Sequence, residues 1–169
     1  MSEKTTTRVV RDAQGERTRY EDIEVGHDLG EMEWIVTAEM VAAQCALDGD
    51  YDPAFEAVEG RPQYAPPQIL YRPPRWLLSR NFNIRGVLVK WDFEILAGIE
   101  VDRPMILGGR ISGKWIKAER EYVAYEVSAR YQDGTPVFRT ARVHLMDIID
   151  RSRPREGEGL DSGRKQERI

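Results

Sequence analysis

The chain has 169 residues, which suffice for one domain with a hydrophobic core and are too few to make two domains the default. Its formal net charge is −4 and no basic face is evident, which argues against a nucleic-acid partner. No apolar run approaches the roughly 20 residues that span a bilayer. The N-terminus lacks the apolar core of a signal peptide, so we expect a cytoplasmic protein without a membrane partner.

Both ends of the chain are polar. Residues 1–18 show no apolar periodicity and are predicted to form a flexible arm. Residues 150–169 are almost wholly charged residues and glycine, which cannot offset the entropy of ordering, so a disordered tail is predicted. One folded domain is therefore expected over residues 19–149.

A short strand at residues 33–36 and a helix of about ten residues are the first elements predicted within the domain. Thr37 is the predicted N-cap of the helix, and Gly49 is predicted to end it. Its helical stripe comprises Met40, Ala43, Gln44 and Leu47. The single cysteine, Cys45, excludes an intramolecular disulfide and is predicted to be a buried, inert thiol, because no histidine is near it in sequence.

Two Pro-Pro pairs interrupt the middle of the chain and forbid one continuous helix. Pro67 can occupy the first turn of a helix that begins near Gln68, whereas Pro73 and Pro74 are predicted to kink or split that helix. A Pro-interrupted helical segment is therefore expected around residues 68–80.

From residue 87 onwards the apolar period changes to two, which predicts four long antiparallel strands with one buried face. Asp133 and Gly134 mark a hairpin turn between the last two strands. The helical segment is the available cover for the sheet, so the fold class is α+β. The alternating positions are Val89, Trp91, Phe93, Ile95 and Ala97, then Val123, Tyr125, Val127, Ala129 and Tyr131, and finally Val137, Arg139, Ala141, Val143 and Leu145.

The two histidines, His27 and His144, are too few for a His-rich metal site. No carboxylate spacing typical of a metal site is recognisable, so we expect neither a metal nor another cofactor. Each histidine is expected to be solvent-facing or locally hydrogen-bonded.

Several local sequences in this order resemble the MaoC-like dehydratases and (R)-specific enoyl-CoA hydratases. They are YEDIEVGHDLGEMEWIVTAEMVAAQCALDGDYDP, FEILA followed by EVDRP, and YQDG, while YAPP resembles the N-terminal dehydratase-type branch of that family. The resemblance covers roughly residues 20–147. It implies a single hot-dog domain, an antiparallel sheet wrapped around a central helix, paired with a second unit as a double hot dog.

The resemblance implies a hydratase or dehydratase that acts on an enoyl or 3-hydroxyacyl thioester such as acyl-CoA. It also implies a homodimer or higher homo-oligomer, or a heteromer with a second hot-dog chain. In this family an Asp and a His on a GDxNPxH loop form the catalytic dyad, and the corresponding segment here is GDYDPAF. Asp50 matches the catalytic Asp, Asp52 replaces the Asn, and Phe55 occupies the His position and cannot transfer a proton.

The candidate catalytic residues are therefore Asp50 and Asp52. A carboxylate at the mouth of an apolar tunnel can activate water, and two nearby carboxylates raise the pKa of one of them. The alternative is structural, since Gly-Asp and Asp-Pro are ordinary turn formers. The candidate substrate-binding residues are Tyr51, Phe55, Tyr64, Gln68, Ile69, Tyr71 and Arg72.

Two features support this choice of binding residues. The backbone N–H groups of Gln68 and Ile69 at a helix start can polarise a thioester carbonyl, whereas Pro66 and Pro67 have none. The basic and aromatic residues that follow can face a phosphate-bearing arm or an anionic substrate, or simply cover the sheet.

The missing histidine leaves three functions open. The first is a hydro-lyase that relies on Asp50 and an unusual partner residue. The second is a non-catalytic hot-dog subunit that completes the site of a partner chain with an intact dyad. The third is a thioesterase-like hot-dog protein in which a lone carboxylate activates water.

Overall fold

A five-stranded antiparallel sheet dominates residues 16–146, the part of the chain that this computed structural model describes. The strand order is β1-β3-β4-β5-β2, so β1 and β2 form the two edges. The strands are β1 (Asp28–Trp34), β2 (Val87–Ile95), β3 (Met105–Lys117), β4 (Arg120–Tyr131) and β5 (Pro136–Leu145).

The helices begin and end where the local signals predict. In α1 (Ala38–Asp48) the Thr37 side chain accepts a hydrogen bond from the Met40 N–H (3.3 Å), and Gly49 ends the helix in the left-handed region with φ = 67°. The Pro-rich segment is split, as predicted, into a 3-10 helix (Pro67–Tyr71) and α2 (Pro73–Asn81). None of the helices in residues 16–146 is long and apolar enough to cross a membrane.

The strand predicted at residues 33–36 is misplaced, because β1 ends at Trp34. Val36 is buried, but its carbonyl accepts a hydrogen bond from the Asp102 N–H (2.8 Å) outside the sheet. Ile35 and Val36 thus belong to the connection between β1 and α1.

The inward face predicted for β4 is confirmed, and the one predicted for β5 is wrong. Cross-strand partners share a face, and the register pairs Tyr125 with Arg142 and Val123 with His144. Because Val123 and Tyr125 are buried, their β5 partners His144 and Arg142 also face the core. His144 is therefore buried and not solvent-facing. The buried β5 residues are Val137, Phe138, Thr140, Arg142 and His144, so Val137 is buried as predicted, whereas Arg139, Ala141, Val143 and Leu145 lie on the other face.

The alternating β2 residues are only partly covered. The exposed fractions of Val89, Trp91 and Ile95 are 50%, 41% and 45%. The strand lies at the sheet edge and its pairing with β5 is shifted between Leu88 and Lys90. Trp91 nevertheless contacts the Tyr71 ring (ring centres 5.3 Å apart) and Phe93 stacks on Phe138 (5.2 Å), so only part of this row lacks cover from the described chain.

The chain ends are described only in part. The whole of the predicted tail and residues 1–15 of the predicted arm lie outside the described residues. In the described remainder of the arm, the Thr18 Oγ1 accepts a hydrogen bond from the Asn83 N–H (2.8 Å). The proposed domain limits of 19 and 149 stay predictions.

Two adjacent glycines of β3 test the close packing of the sheet. A Cβ at Gly109 would lie 2.5 Å from the Glu126 carbonyl oxygen, whereas a Cβ at Gly108 would meet no atom closer than 3.8 Å. We expect Gly109→Ala to lower the free energy of unfolding by about 2 kcal/mol, and Gly108→Ala to change it by less than about 0.5 kcal/mol. Urea unfolding of both variants provides the measurement, and equal values for the pair would contradict the packing described.

Candidate functional site

The carboxylates of the loop after α1 stabilise the turns of that loop. The Asp50 Oδ1 accepts a hydrogen bond from the Asp52 N–H (3.3 Å), and the Asp52 Oδ1 accepts one from the Ala54 N–H (2.8 Å). The second bond caps the 3-10 turn Pro53–Phe55. Both side chains thus act as turn formers in this structure, which is the structural alternative for the GDYDPAF segment.

Phe55 and the backbone beside it fasten this loop to the domain. The ring is half-buried and packs against the hydrophobic core, and the Phe55 carbonyl accepts a hydrogen bond from the Gln63 side chain (2.7 Å). The Arg61 guanidinium donates to the Pro53 carbonyl (2.5 Å). Phe55, which the sequence resemblance matches to the catalytic histidine, therefore has a packing role here.

Tyr64 anchors the end of the loop. Its ring lies so close to Gly98 that a Cβ there would be 2.5 Å from the ring. Backbone hydrogen bonds flank it, from the Ala65 N–H to the Ile99 carbonyl (2.8 Å) and from the Val101 N–H to the Gln63 carbonyl (2.9 Å). Tyr64 thus joins the loop to the segment before β3.

The other predicted binding residues meet at a cavity of about 580 Å³ between α1, the 3-10 helix and β2. Gln68, Ile69, Tyr71 and Arg72 line it. Asp50, Tyr51, Asp52, Phe55 and Tyr64 do not, and Tyr51 is 71% exposed. The predicted site therefore divides into a cavity and a separate loop.

Sequence reasoning missed part of this cavity. The α1 stripe, with Met40 and Leu47, faces the cavity, and Leu47 is 80% exposed. Trp34, Trp76 and Trp91 complete the apolar lining. The large exposed residues at the end of the stripe are a signal that an amphipathic helix faces a groove.

The Ile69 backbone does not fulfil the role predicted for it. Its N–H donates to the Pro66 carbonyl (3.1 Å) in the first turn of the 3-10 helix. This N–H is therefore not available to a thioester oxygen in the structure, because Pro67 forces a tight turn that uses it.

A second cavity, of about 430 Å³, adjoins the first and is basic. Tyr71, Arg72 and Trp76 line both cavities. Its other lining residues include Arg75, Arg142 and His144, and no carboxylate is among its nine lining residues. We name these two spaces the apolar cavity and the basic cavity.

Arg142 lies between the two cavities. Its Nη1 donates to the Tyr71 carbonyl (2.7 Å) and its Nη2 to the Leu70 carbonyl (3.5 Å). The guanidinium carbon is 5.3 Å from the centre of the Tyr71 ring and 5.0 Å from that of Trp91. Burial lowers the pKa of Arg142, because desolvation disfavours the charged form.

Two further titratable residues, Cys45 and Tyr125, are buried. Cys45 is 8% exposed, which confirms the predicted burial, and desolvation raises the pKa of its thiol. Desolvation also raises the pKa of Tyr125, which the nearby Arg142 opposes. Residues 16–146 contain no group of three or more His, Cys, Asp or Glu side chains that could hold a metal ion.

Solved structures share this architecture at low sequence identity. The (R)-hydratase from A. caviae involved in PHA biosynthesis matches with a TM-score of 0.63 and 13% identity, over 75% of this chain and 99% of that chain. The C-terminally truncated HadBC (3R-hydroxyacyl-ACP dehydratase) complex from Mycobacterium tuberculosis matches with a TM-score of 0.64 and 15% identity, over 77% and 99%. This chain has the hot-dog fold.

A further match is the ChsH1-ChsH2 complex from Mycobacterium tuberculosis, with a TM-score of 0.61 and 8% identity over 73% of this chain and 98% of that chain. No protein-family model matches the hot-dog chain, and no curated protein is significantly similar to it. The predicted single α+β hot-dog domain is thus confirmed by structural similarity, and its pairing as a double hot dog stays a prediction.

Two substitutions test the structural role of Asp52. We expect Asp52→Ala to lower the free energy of unfolding by about 1 kcal/mol, because it removes the cap on the Ala54 N–H. Asp52→Asn retains a side-chain oxygen and is expected to stay within about 0.5 kcal/mol of the wild type. Denaturant titration compares the two, and an asparagine variant as unstable as the alanine variant would contradict the capping role.

Proposed function

We propose that this hot-dog protein binds an acyl thioester in the apolar cavity and serves a hydratase or dehydratase assembly whose proton-transferring histidine comes from a second chain. The observation that carries the proposal is the division of the site. The predicted binding residues from Gln68 to Arg72 line a cavity, whereas Asp50 and Asp52 cap turns and Phe55 packs into the core.

The cavity suits an acyl chain. Its volume of about 580 Å³ lies in the usual range of ligand sites, which is roughly 300–1,000 Å³. Three tryptophans and the α1 stripe supply an apolar wall, and Gln68 and Arg72 are polar residues on its rim. Burial of a chain of methylene groups here would contribute roughly 0.8 kcal/mol for each group.

The β2 edge supports pairing with another hot-dog unit. An edge strand presents unpaired backbone groups, and this edge also exposes Val89, Trp91 and Ile95. Edge-to-edge pairing in a homodimer or a heteromer would cover both features, and Trp91 would bring the apolar cavity close to the partner chain. Two of the similar structures are complexes named for two components, HadBC and ChsH1-ChsH2.

A self-sufficient hydro-lyase is the second candidate. Asp50 is half-buried and directly follows α1, whose residue Leu47 lines the apolar cavity. In this alternative the Asp50 carboxylate activates water for a bound enoyl thioester, and its substitution abolishes turnover while the fold is retained.

Turnover by the purified chain distinguishes the two candidates. We expect the chain alone to bind acyl-CoA in calorimetry and to show no hydration or hydrolysis across a panel of enoyl-CoA and acyl-CoA thioesters, because Phe55 cannot transfer a proton. Asp50→Asn is expected to bind the same thioesters as tightly as the wild type. Hydration by the chain alone that Asp50→Asn reduces by orders of magnitude would overturn the subunit proposal in favour of the hydro-lyase.

A further inference from the structure

The basic cavity has no role in the binding of a plain acyl chain. Arg72, Arg75, Arg142 and His144 line it and no acidic side chain does, although the protein as a whole carries a net charge of −4. Such a concentration of arginines around a small concave space favours an anionic ligand. The arrangement therefore indicates a binding site for a charged group beside the hydrocarbon site of the apolar cavity.

Arg142 is the most unusual of these groups. It is only 1% exposed, and arginine is rarely buried without an acidic partner. Within the described chain it forms no ion pair, and two of its N–H groups donate to backbone carbonyls. Its Nε and the neighbouring Tyr125 hydroxyl are buried and make no hydrogen bond of normal geometry with another described residue. Arg142 thus lines the basic cavity as a buried cation with no acidic partner among the described residues.

Arg72 supplies a second cation at the mouth. Its side chain is exposed, lines both cavities and forms no ion pair or side-chain hydrogen bond with a described residue. Arg75 is fixed by donating to the Ser79 hydroxyl (3.0 Å) and to the Ile84 carbonyl. A ligand would therefore meet Arg75, which is held in position, and Arg72, whose side chain can adapt to the ligand.

The two cavities are contiguous. Tyr71, Arg72 and Trp76 belong to both, and the Arg142 guanidinium packs against Tyr71 and against Trp91, which lines the apolar cavity. A ligand that occupies both cavities combines an anionic group in the basic cavity with an apolar chain in the apolar cavity. A planar carboxylate matches the guanidinium geometry, and its size suits a space of about 430 Å³.

We propose that the basic cavity binds a carboxylate at the far end of the acyl group, so that the preferred ligand is the thioester of a dicarboxylic acid. This inference rests on the proposed acyl-binding function and adds the substrate class to it. Arg72 and Arg142 contact the carboxylate, while the methylene chain lies against Trp76 and Trp91.

Calorimetry with two CoA thioesters of equal chain length tests the inference. Adipoyl-CoA and hexanoyl-CoA both have six-carbon acyl groups and differ in the terminal carboxylate. For the full chain we expect adipoyl-CoA to bind at least about tenfold more tightly, the ratio that corresponds to one charge-assisted hydrogen bond. Free CoA is the third ligand, because its phosphates are the other source of anionic oxygen.

Three variants locate the effect. Arg72 lines both cavities, so Arg72→Gln is expected to weaken the binding of both thioesters and to weaken that of adipoyl-CoA more, which removes most of the preference for adipoyl-CoA. Arg110→Gln makes the same charge change on the opposite face of the sheet, where Arg110 pairs with Glu126 (3.4 Å), and is expected to preserve the preference. Arg142→Lys keeps the positive charge but loses the planar guanidinium, whose N–H groups can donate two parallel hydrogen bonds to a carboxylate. This variant should therefore bind adipoyl-CoA more weakly. If Arg142→Lys fails to fold, Arg72→Gln still decides.

The outcomes separate the inference from the proposed function. Equal affinity for the two thioesters in the wild type, or a preference that Arg72→Gln leaves intact, overturns the inference and leaves acyl binding in place. Free CoA that binds as tightly as adipoyl-CoA and is weakened by Arg72→Gln assigns the cavity to phosphate and likewise overturns it. Binding of neither thioester overturns the proposed function together with the inference.

Discussion

The hydrogen bonds between Arg142 and the 3-10 helix connect the sheet to its helical cover. Pro74 has no N–H to donate to the Leu70 carbonyl, and the Arg75 N–H donates to the Arg72 carbonyl (2.9 Å) instead of the Tyr71 carbonyl that it would meet in a continuous α-helix. Arg142 reaches from β5 and donates to the Leu70 and Tyr71 carbonyls instead. A buried cation thus stabilises a break that the proline pair makes unavoidable, and both cavities form around that break.

This constraint explains why the predicted binding residues and the predicted catalytic residues lie in different places. The cavity walls depend on the split helix, whereas the GDYDPAF loop depends on its own turns and on backbone hydrogen bonds to the segment before β3. Asp50 and Asp52 stabilise the loop through their oxygens, and Phe55 contributes apolar packing. In the proposed function, a chain built in this way offers a place for a thioester and leaves proton transfer to a second chain.

Features that depend on neighbouring residues could be predicted from the sequence, and features that depend on strand register could not. Thr37, Gly49 and the proline pairs act within a few residues, so the helix limits and the split follow from local chemistry. The burial of Arg142 follows from its pairing with Tyr125, a long-range register that alternation alone leaves ambiguous. The same holds for the apolar cavity, whose lining residues come from five elements, β1, α1, the 3-10 helix, α2 and β2.

Tryptophan fluorescence offers the most direct measurement of acyl binding in the apolar cavity. Of the four tryptophans, Trp34, Trp76 and Trp91 line the cavity, and Trp115 stacks on Tyr122 with ring centres 5.6 Å apart. In a Trp115→Phe variant all tryptophan emission therefore comes from residues that line the apolar cavity. The account predicts a saturable change in emission on titration with hexanoyl-CoA and none with free CoA; emission that hexanoyl-CoA leaves unchanged would contradict it.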